Sequence, residues 1–500
     1  MEEKLKRLKE ILAEFYDLHA VGMLLDWDQQ VNMPPGGVEG RGYQSATIAS
    51  LAHKTFTAAE VGRLLDDLLP YADSLDPDAD DACLIHVARR EYEKKTRVPA
   101  QFVAEFSQIT ANAMQIWQEA REENNFAKFQ PHLERIVDLR RQYAEFFAPY
   151  KHVYDPLLDD FEPGLKTSDV QEIFSGLRLE QVALLKEIAS RPQIDDSFIF
   201  LEYDEQKQWD FGVEVITRFG YDWNRGRQDR SAHPFTTNFG ADDVRITTRV
   251  HKDNLASAAF SSMHEAGHAM YEQGVDPALA RTVLCSGASL ALHESQSRLW
   301  ENLVGRSLPF WERFYPRLQQ RFPVQLGRID LWTFYKGINK VEPSLVRVES
   351  DEATYNLHIM LRLELEIALM EGTLLVKDLP ETWNARMQEY LGVTPPNDAK
   401  GVLQDIHWSG GMIGYFSTYA LGNLVSVQLW EKILQDIPDV EEQIRAGEFA
   451  ALLGWLREKL HRHGAKYEPQ VLVQRITGSK IDPAPYLRYL RRKYGAIYGL

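Results

Sequence analysis

The sequence predicts a mainly α-helical protein carrying one small β-sheet, and two observations predict it. Apolar residues recur three or four positions apart along most of the 500 residues, whereas alternation with a period of two is confined to one short segment. In the first segment Leu5, Leu8, Ile11, Leu12, Phe15 and Leu18 follow helical spacing with charges between them, so this helix is expected to lay an apolar stripe on the body. Met33-Pro34-Pro35-Gly36-Gly37 then breaks the pattern, since prolines and glycines do not continue a helix. Three more breaks, Asp73–Asp81, Asp155–Pro163 and Pro192–Phe198, read as loops between helices, because none is long or biased enough to be a flexible linker.

The exception is Val244, Ile246 and Thr248 alternating with Arg245, Thr247 and Arg249, which reads as a strand. It stands just before a histidine-bearing helix. As an exposed edge strand it would hold an extended peptide through backbone hydrogen bonds; as a short hairpin it would be structural only. Helices expected over Ser344–Met370 and Leu421–Gln435 fill much of the C-terminal half, and no repeat or low-complexity tract interrupts the chain.

Composition narrows the function classes. Against 56 Lys and Arg stand 73 Asp and Glu, a formal charge of −17, which argues against a general nucleic-acid binder. Cys83 and Cys285 are the only cysteines, too few for a disulfide framework or a thiolate metal site, and a reducing compartment follows. Met1–Asp17 is charged and does not read as a signal peptide, and runs such as Phe449–Leu456 fall far short of the roughly 20 residues of a membrane helix. A soluble, cytoplasmic protein is expected.

His264-Glu265-Ala266-Gly267-His268 carries the chemistry. On a helix, histidines four apart are offset by about 40° and about 6 Å, so both imidazoles reach one metal ion. Glu265 sits about 100° round from His264, beside the ion rather than on it, where it serves a water. A catalytic site of this kind needs a third protein ligand and one open position. Carboxylates are missing 19 and 20 residues after His268, where Gly287 and Ala288 stand, but His293-Glu294-Ser295 follows a turn-prone stretch. Glu294 is the candidate third ligand, with Glu272 a weaker rival, and Arg298 one turn on is placed to brace its carboxylate.

These residues resemble the carboxypeptidase Taq family of metallocarboxypeptidases, also called thermostable carboxypeptidase 1. The likeness rests on His233-Pro234-Phe235, Asp243-Val244-Arg245-Ile246-Thr247, the two metal motifs, and Gly401-Val402-Leu403-Gln404-Asp405-Ile406-His407-Trp408. Trp27-Asp28, Met33-Pro34, Gly36-Gly37, Arg41 and Gln44 also fit, so the likeness runs over nearly the whole chain. Val346-Arg347-Val348-Glu349-Ser350-Asp351 departs from the family's Ile-Arg-x-x-Ala-Asp by two small replacements and keeps Arg347 and Asp351. The resemblance implies a large helical, zincin-like metallopeptidase with a deep substrate groove and a small sheet near the site. It implies His264, His268 and Glu294 as ligands, Glu265 as base, and broad removal of single residues from peptide C-termini. A homodimer and one divalent ion are implied as well, zinc by default, with cobalt or manganese possible occupants.

Removing a terminal residue requires a cation for the free α-carboxylate, and arginine's planar fork suits it. Arg347 is the first candidate and Arg245, beside Asp243, the second; the alternative for Arg347 is a structural ion pair with Asp351. Gln404, Asp405, His407 and Trp408 are expected to wall a substrate groove, His233 to face it, and the Tyr419 phenol to stabilise an oxyanion. Because these motifs are spread along the chain, residues 1–500 are expected to act as one domain, with a helical region over about 1–200, a catalytic core over about 230–430 and C-terminal helices over about 431–500.

Overall fold

A computed structural model describes residues 1–500, and helices dominate it. The chain forms two compact units, each assembled from three separated segments. The first unit comprises Met1–Thr96, Asp195–Ile338 and Leu429–Gly478; the second comprises Arg97–Ile194, Asn339–Gln428 and Ser479–Leu500. The boundaries expected near residues 200 and 430 fall close to the junctions at Ile194/Asp195 and Gln428/Leu429, while each expected region contains parts of both units.

In the first unit the opening helix runs Glu2–Val31 and packs antiparallel to Val38–Phe56, joined by the proline-glycine break. Its Leu5, Leu8, Ile11 and Leu12 are buried with Phe56, Leu65 and Leu84 in one apolar cluster. Arg41 pairs with Asp28 at 2.6 Å, tying the two helices together near the break. This accounts for Asp28 and Arg41 of the N-terminal motif.

The sheet has three strands, β1 (Gly226–Arg230), β2 (Thr236–Asn238) and β3 (Val244–Thr248), in the order β1-β3-β2. β1 pairs parallel to β3, and β2 antiparallel to it with Thr236 opposite Ile246. The strand expected at an edge is thus the central one. Both of its backbone edges are used, so β3 offers no ladder to a peptide, and β1 and β2 are the edges. Val244 and Ile246 are fully buried, and Thr247 and Thr248 are as well, which explains why this segment gave the strongest strand signal.

The helix Leu255–Glu272 packs against β2 and β3. It starts at Asn254, whose side chain accepts the backbone N–H groups of Ala256 and Ser257. A second helix, Leu290–Arg298, starts at Ser289, whose hydroxyl accepts Leu292 N–H, and continues into a π-helical turn at Leu299–Val304.

In the second unit the helix expected to begin at Ser344 begins at Glu352. Asp351 is extended and caps it, accepting from Ala353 N–H and Thr354 N–H, while Arg347–Glu349 forms a separate 3₁₀ turn. The apolar period ran through this boundary because Leu345 and Val346 keep the spacing without keeping the helix.

Candidate metal centre

His264, His268 and Glu294 come together in the first unit, with one donor atom from each lying within 4.8 Å of the others. His264 Nε2 stands 3.7 Å and His268 Nε2 3.5 Å from Glu294 Oε2. Their other ring nitrogens are engaged elsewhere. His264 Nδ1 lies 2.9 Å from Glu301 Oε2 and His268 Nδ1 lies 2.7 Å from His293 Nδ1. A carboxylate only accepts, so His264 Nδ1 carries the proton and the lone pair on its Nε2 faces Glu294. Two imidazole nitrogens and one carboxylate oxygen converging in this way are the donor set of a three-ligand site with an open position, and a divalent ion fits it.

Gly267 makes the convergence possible. A Cβ at this position would stand 2.6 Å from Gln296 O and 2.7 Å from Ser297 Cα, so only glycine lets the two ligand helices approach this closely. Arg298 grips the third ligand, with its Nε 2.6 Å from Glu294 Oε1 and Nη1 3.3 Å from Glu301 Oε2, and Ser297 Oγ donates to Glu294 Oε2. Burial alone would push the Glu294 carboxyl up, but Arg298 and His264 hold it well below the usual carboxylate range. The same opposition, burial against Arg298 and His264, brings Glu301 down to about 2. Burial lowers His268 to about 3, which favours the neutral ring that metal binding requires.

Glu265 is 6% exposed, and burial raises its pKa, partly offset by His264 and by a hydrogen bond from Thr236. That bond, Thr236 Oγ1 to Glu265 Oε2 at 2.7 Å, comes from the edge strand β2. It engages one of the two Glu265 carboxylate oxygens.

Arg245 and Asp243 also belong to the first unit. They form a two-point pair at 2.8 Å, and the guanidinium stacks on Trp27 at 4.4 Å. His233 is exposed, and its carbonyl accepts Ser231 Oγ.

The remaining candidates cluster in the second unit. Arg347 is 6% exposed; its Nε and Nη2 donate to Asp405 Oδ1 at 3.0 and 2.8 Å, and its Nη1 donates to Tyr355 at 2.9 Å. Arg362, fully buried, donates to the other Asp405 oxygen. Asp351 is committed to its helix cap and to Glu342 N–H, so the alternative ion pair of Arg347 with Asp351 is replaced by one of Arg347 with Asp405. Gln404 accepts Arg347 N–H and Arg362 Nη2 while donating to Leu345, Lys400 and Gly401 carbonyls. Trp408 Nε1 donates to Glu366 at 2.7 Å, and His407 Nε2 lies 3.4 Å from the Tyr419 hydroxyl. The Tyr419 ring lies 4.9 Å from the Arg347 guanidinium.

Sequence reasoning passed over Thr236, Glu301 and Arg362. Two of them left signals. Glu301 is seven residues after Glu294, hence on the same helical face, and Arg362 is a lone charge inside the apolar run Leu357–Leu363. Thr236 left none.

The profile of the carboxypeptidase Taq (M32) metallopeptidase family matches residues 7–494. The chain belongs to this family. It is therefore a metallocarboxypeptidase, a hydrolase that uses a divalent ion to remove amino acids from peptide C-termini. It is 41% identical to thermostable carboxypeptidase 1 of Thermus thermophilus, over 100% of this chain and 99% of that protein. To carboxypeptidase 1 of Bacillus subtilis it is 37% identical, over 97% and 98% respectively. The crystal structure of the M32 carboxypeptidase from Deinococcus radiodurans superposes with a TM-score of 0.97 at 40% identity, covering 100% of both chains. The mainly helical carboxypeptidase Taq fold with its small sheet is thus shared. No helix of this carboxypeptidase Taq member is long and apolar enough to cross a membrane.

Proposed function

We propose that His264, His268 and Glu294 hold one zinc ion and that Glu265 is the general base of peptide hydrolysis. The observation that carries this reading is the convergence of two Nε2 atoms on Glu294 Oε2 with a buried carboxylate one residue from the first ligand. Zinc suits the two-imidazole, one-carboxylate set, and cobalt or manganese accept the same donors. When bound at such a site, a divalent ion supplies polarisation of the scissile carbonyl and lowers the pKa of a water towards about 7.

The protein's own residues do the rest. Glu265 takes the proton of the attacking water and passes it to the leaving amine. A raised pKa suits both proton transfers, because the protonated carboxyl must persist long enough to donate. Thr236 holds the carboxylate in one rotamer, so the base is aimed before substrate arrives.

For the terminal α-carboxylate, Arg347 is the better-supported anchor. Two guanidiniums, Arg347 and Arg362, share the single Asp405 carboxylate, leaving that cluster one formal positive charge in excess. Arg245 is already neutralised by Asp243 in a two-point pair. Gln404 spends its hydrogen bonds on the arginines and three carbonyls, which supports a role in holding Arg347 rather than touching substrate. Trp408, committed to Glu366, belongs to the same scaffold. Tyr419, beside Arg347, remains the proposed oxyanion donor, and His407 supports its hydroxyl; His233 has no support beyond its motif.

Replacing Arg347 with Ala is expected to cut kcat/KM for a peptide with a free C-terminus about a hundredfold, while the already poor hydrolysis of the same peptide amide stays unchanged. Metal content and thermal unfolding of the variant separate recognition from folding. Undiminished cleavage of the free acid would move the anchor to Arg245. Broad side-chain specificity, a homodimer and a cytoplasmic home complete the proposal, supported by the family likeness and by two buried cysteines left as free thiols.

A further inference from the structure

His293 precedes Glu294 in the second metal motif, yet neither metal binding nor proton transfer uses it directly. Its ring lies between His268 and Glu272, with Nδ1 2.7 Å from His268 Nδ1 and Nε2 2.6 Å from Glu272 Oε1. Glu272 is 3% exposed, and the same Oε1 accepts Gly287 N–H at 3.1 Å. Glycine at position 287 lets the imidazole lie this close to the chain, since a Cβ there would stand 2.7 Å from His293 Cδ2.

The protons along this line follow by elimination. Glu272 is an acceptor, so His293 Nε2 carries a proton and donates it. With His268 Nε2, the atom facing Glu294, read as the metal donor, His268 Nδ1 carries that ring's proton and donates it to His293 Nδ1, the bare acceptor. His264 reaches the same tautomer through a carboxylate directly, from Glu301; His268 reaches it through an interposed imidazole.

We propose that His293 and Glu272 are positioning residues for the metal site, acting as a two-step hydrogen-bonded relay that fixes the tautomer and ring plane of His268. The proposal rests on the reading of His264, His268 and Glu294 as ligands. Both relay residues lie on the ligand-bearing segments, Glu272 at the end of the first ligand helix and His293 beside Glu294 on the second, so the relay also clamps those two helices together. Partners of this kind, when removed, weaken metal affinity by about 10–100-fold.

The test is the zinc dissociation constant of the full chain, measured by competition with a chelator, for wild type, His293→Ala, Glu272→Gln and the ligand variant His268→Ala. Circular dichroism and thermal unfolding of the metal-free forms accompany it. His293→Ala is expected to keep its fold and bind zinc about 10–100-fold more weakly. Glu272→Gln, whose amide oxygen still accepts the His293 proton but carries no charge, is expected to lose less, about three- to tenfold; it carries the test if His293→Ala fails to fold. His268→Ala is expected to lose nearly all binding. Zinc affinity of His293→Ala or Glu272→Gln within twofold of wild type, with His268→Ala defective, would overturn the relay alone. Wild-type affinity in His268→Ala as well would overturn the ligand assignment beneath it.

Discussion

Glu265→Gln is expected to lower kcat about 10²–10⁴-fold with metal content unchanged, the range that general acid–base catalysis supplies. The substitution is close to isosteric, and its amide can still accept the Thr236 hydroxyl proton at the 2.7 Å site. It cannot take a proton from water. Because Glu265 lies between the ligands in sequence without being one of them, the variant separates proton transfer from metal binding. KM should change little, since both proton transfers belong to the reaction step rather than to ground-state binding of the substrate. Steady-state kinetics alongside metal analysis of the same sample checks this; a variant within threefold of wild-type kcat would remove Glu265 from the mechanism.

Asp405→Ala is expected to destabilise the protein by about 3–5 kcal/mol, the cost of leaving a buried charge without its partner. Here two guanidiniums are left, since Asp405 is the carboxylate to which both Arg347 and Arg362 donate. The pH dependence has a definite sign. Although burial opposes it, Arg362 and Arg347 hold the Asp405 carboxyl well below its ordinary value. A depressed folded-state pKa contributes stability that is fully present above the unfolded value of about 3.9 and is lost as pH falls towards the folded one. Thermal unfolding between about pH 3 and 7 should show this loss below about pH 4 in wild type, and a flatter acid limb in Asp405→Ala. An unchanged acid limb together with an unchanged midpoint would show that the cluster is not a stabilising ion pair.

Much of the metal centre was legible because helical geometry alone brings residues four apart onto one face, so His264 and His268 needed no tertiary information. Glu294 required only that the loop between Glu272 and Leu290 fold the second helix back against the first. The strand at Val244–Thr248 was legible for a similar reason, its period of two being a local property. Its place in the sheet was not. Strand order depends on β1, a polar stretch reading Gly-Arg-Gln-Asp-Arg that carries no alternation and pairs from the far side. The start of the helix at Glu352 was missed because apolar spacing continues through a cap, and only the extended backbone of Asp351 marks the break. Pairings among distant polar residues were the least legible. Arg347 lies four residues before Asp351 and 58 before Asp405, yet the longer separation is the one that forms, because Asp351 is spent on its own helix terminus.

Metal stoichiometry of wild type and of Glu294→Ala, measured by elemental analysis on the full chain after removal of loosely bound ions, bears on the three-ligand site itself. About one divalent ion per chain is expected in wild type and less than about a tenth of that in Glu294→Ala, because a three-ligand site cannot retain its ion on two imidazoles. A Glu294→Ala protein that keeps its full complement of metal would contradict the assignment of Glu294 as a ligand.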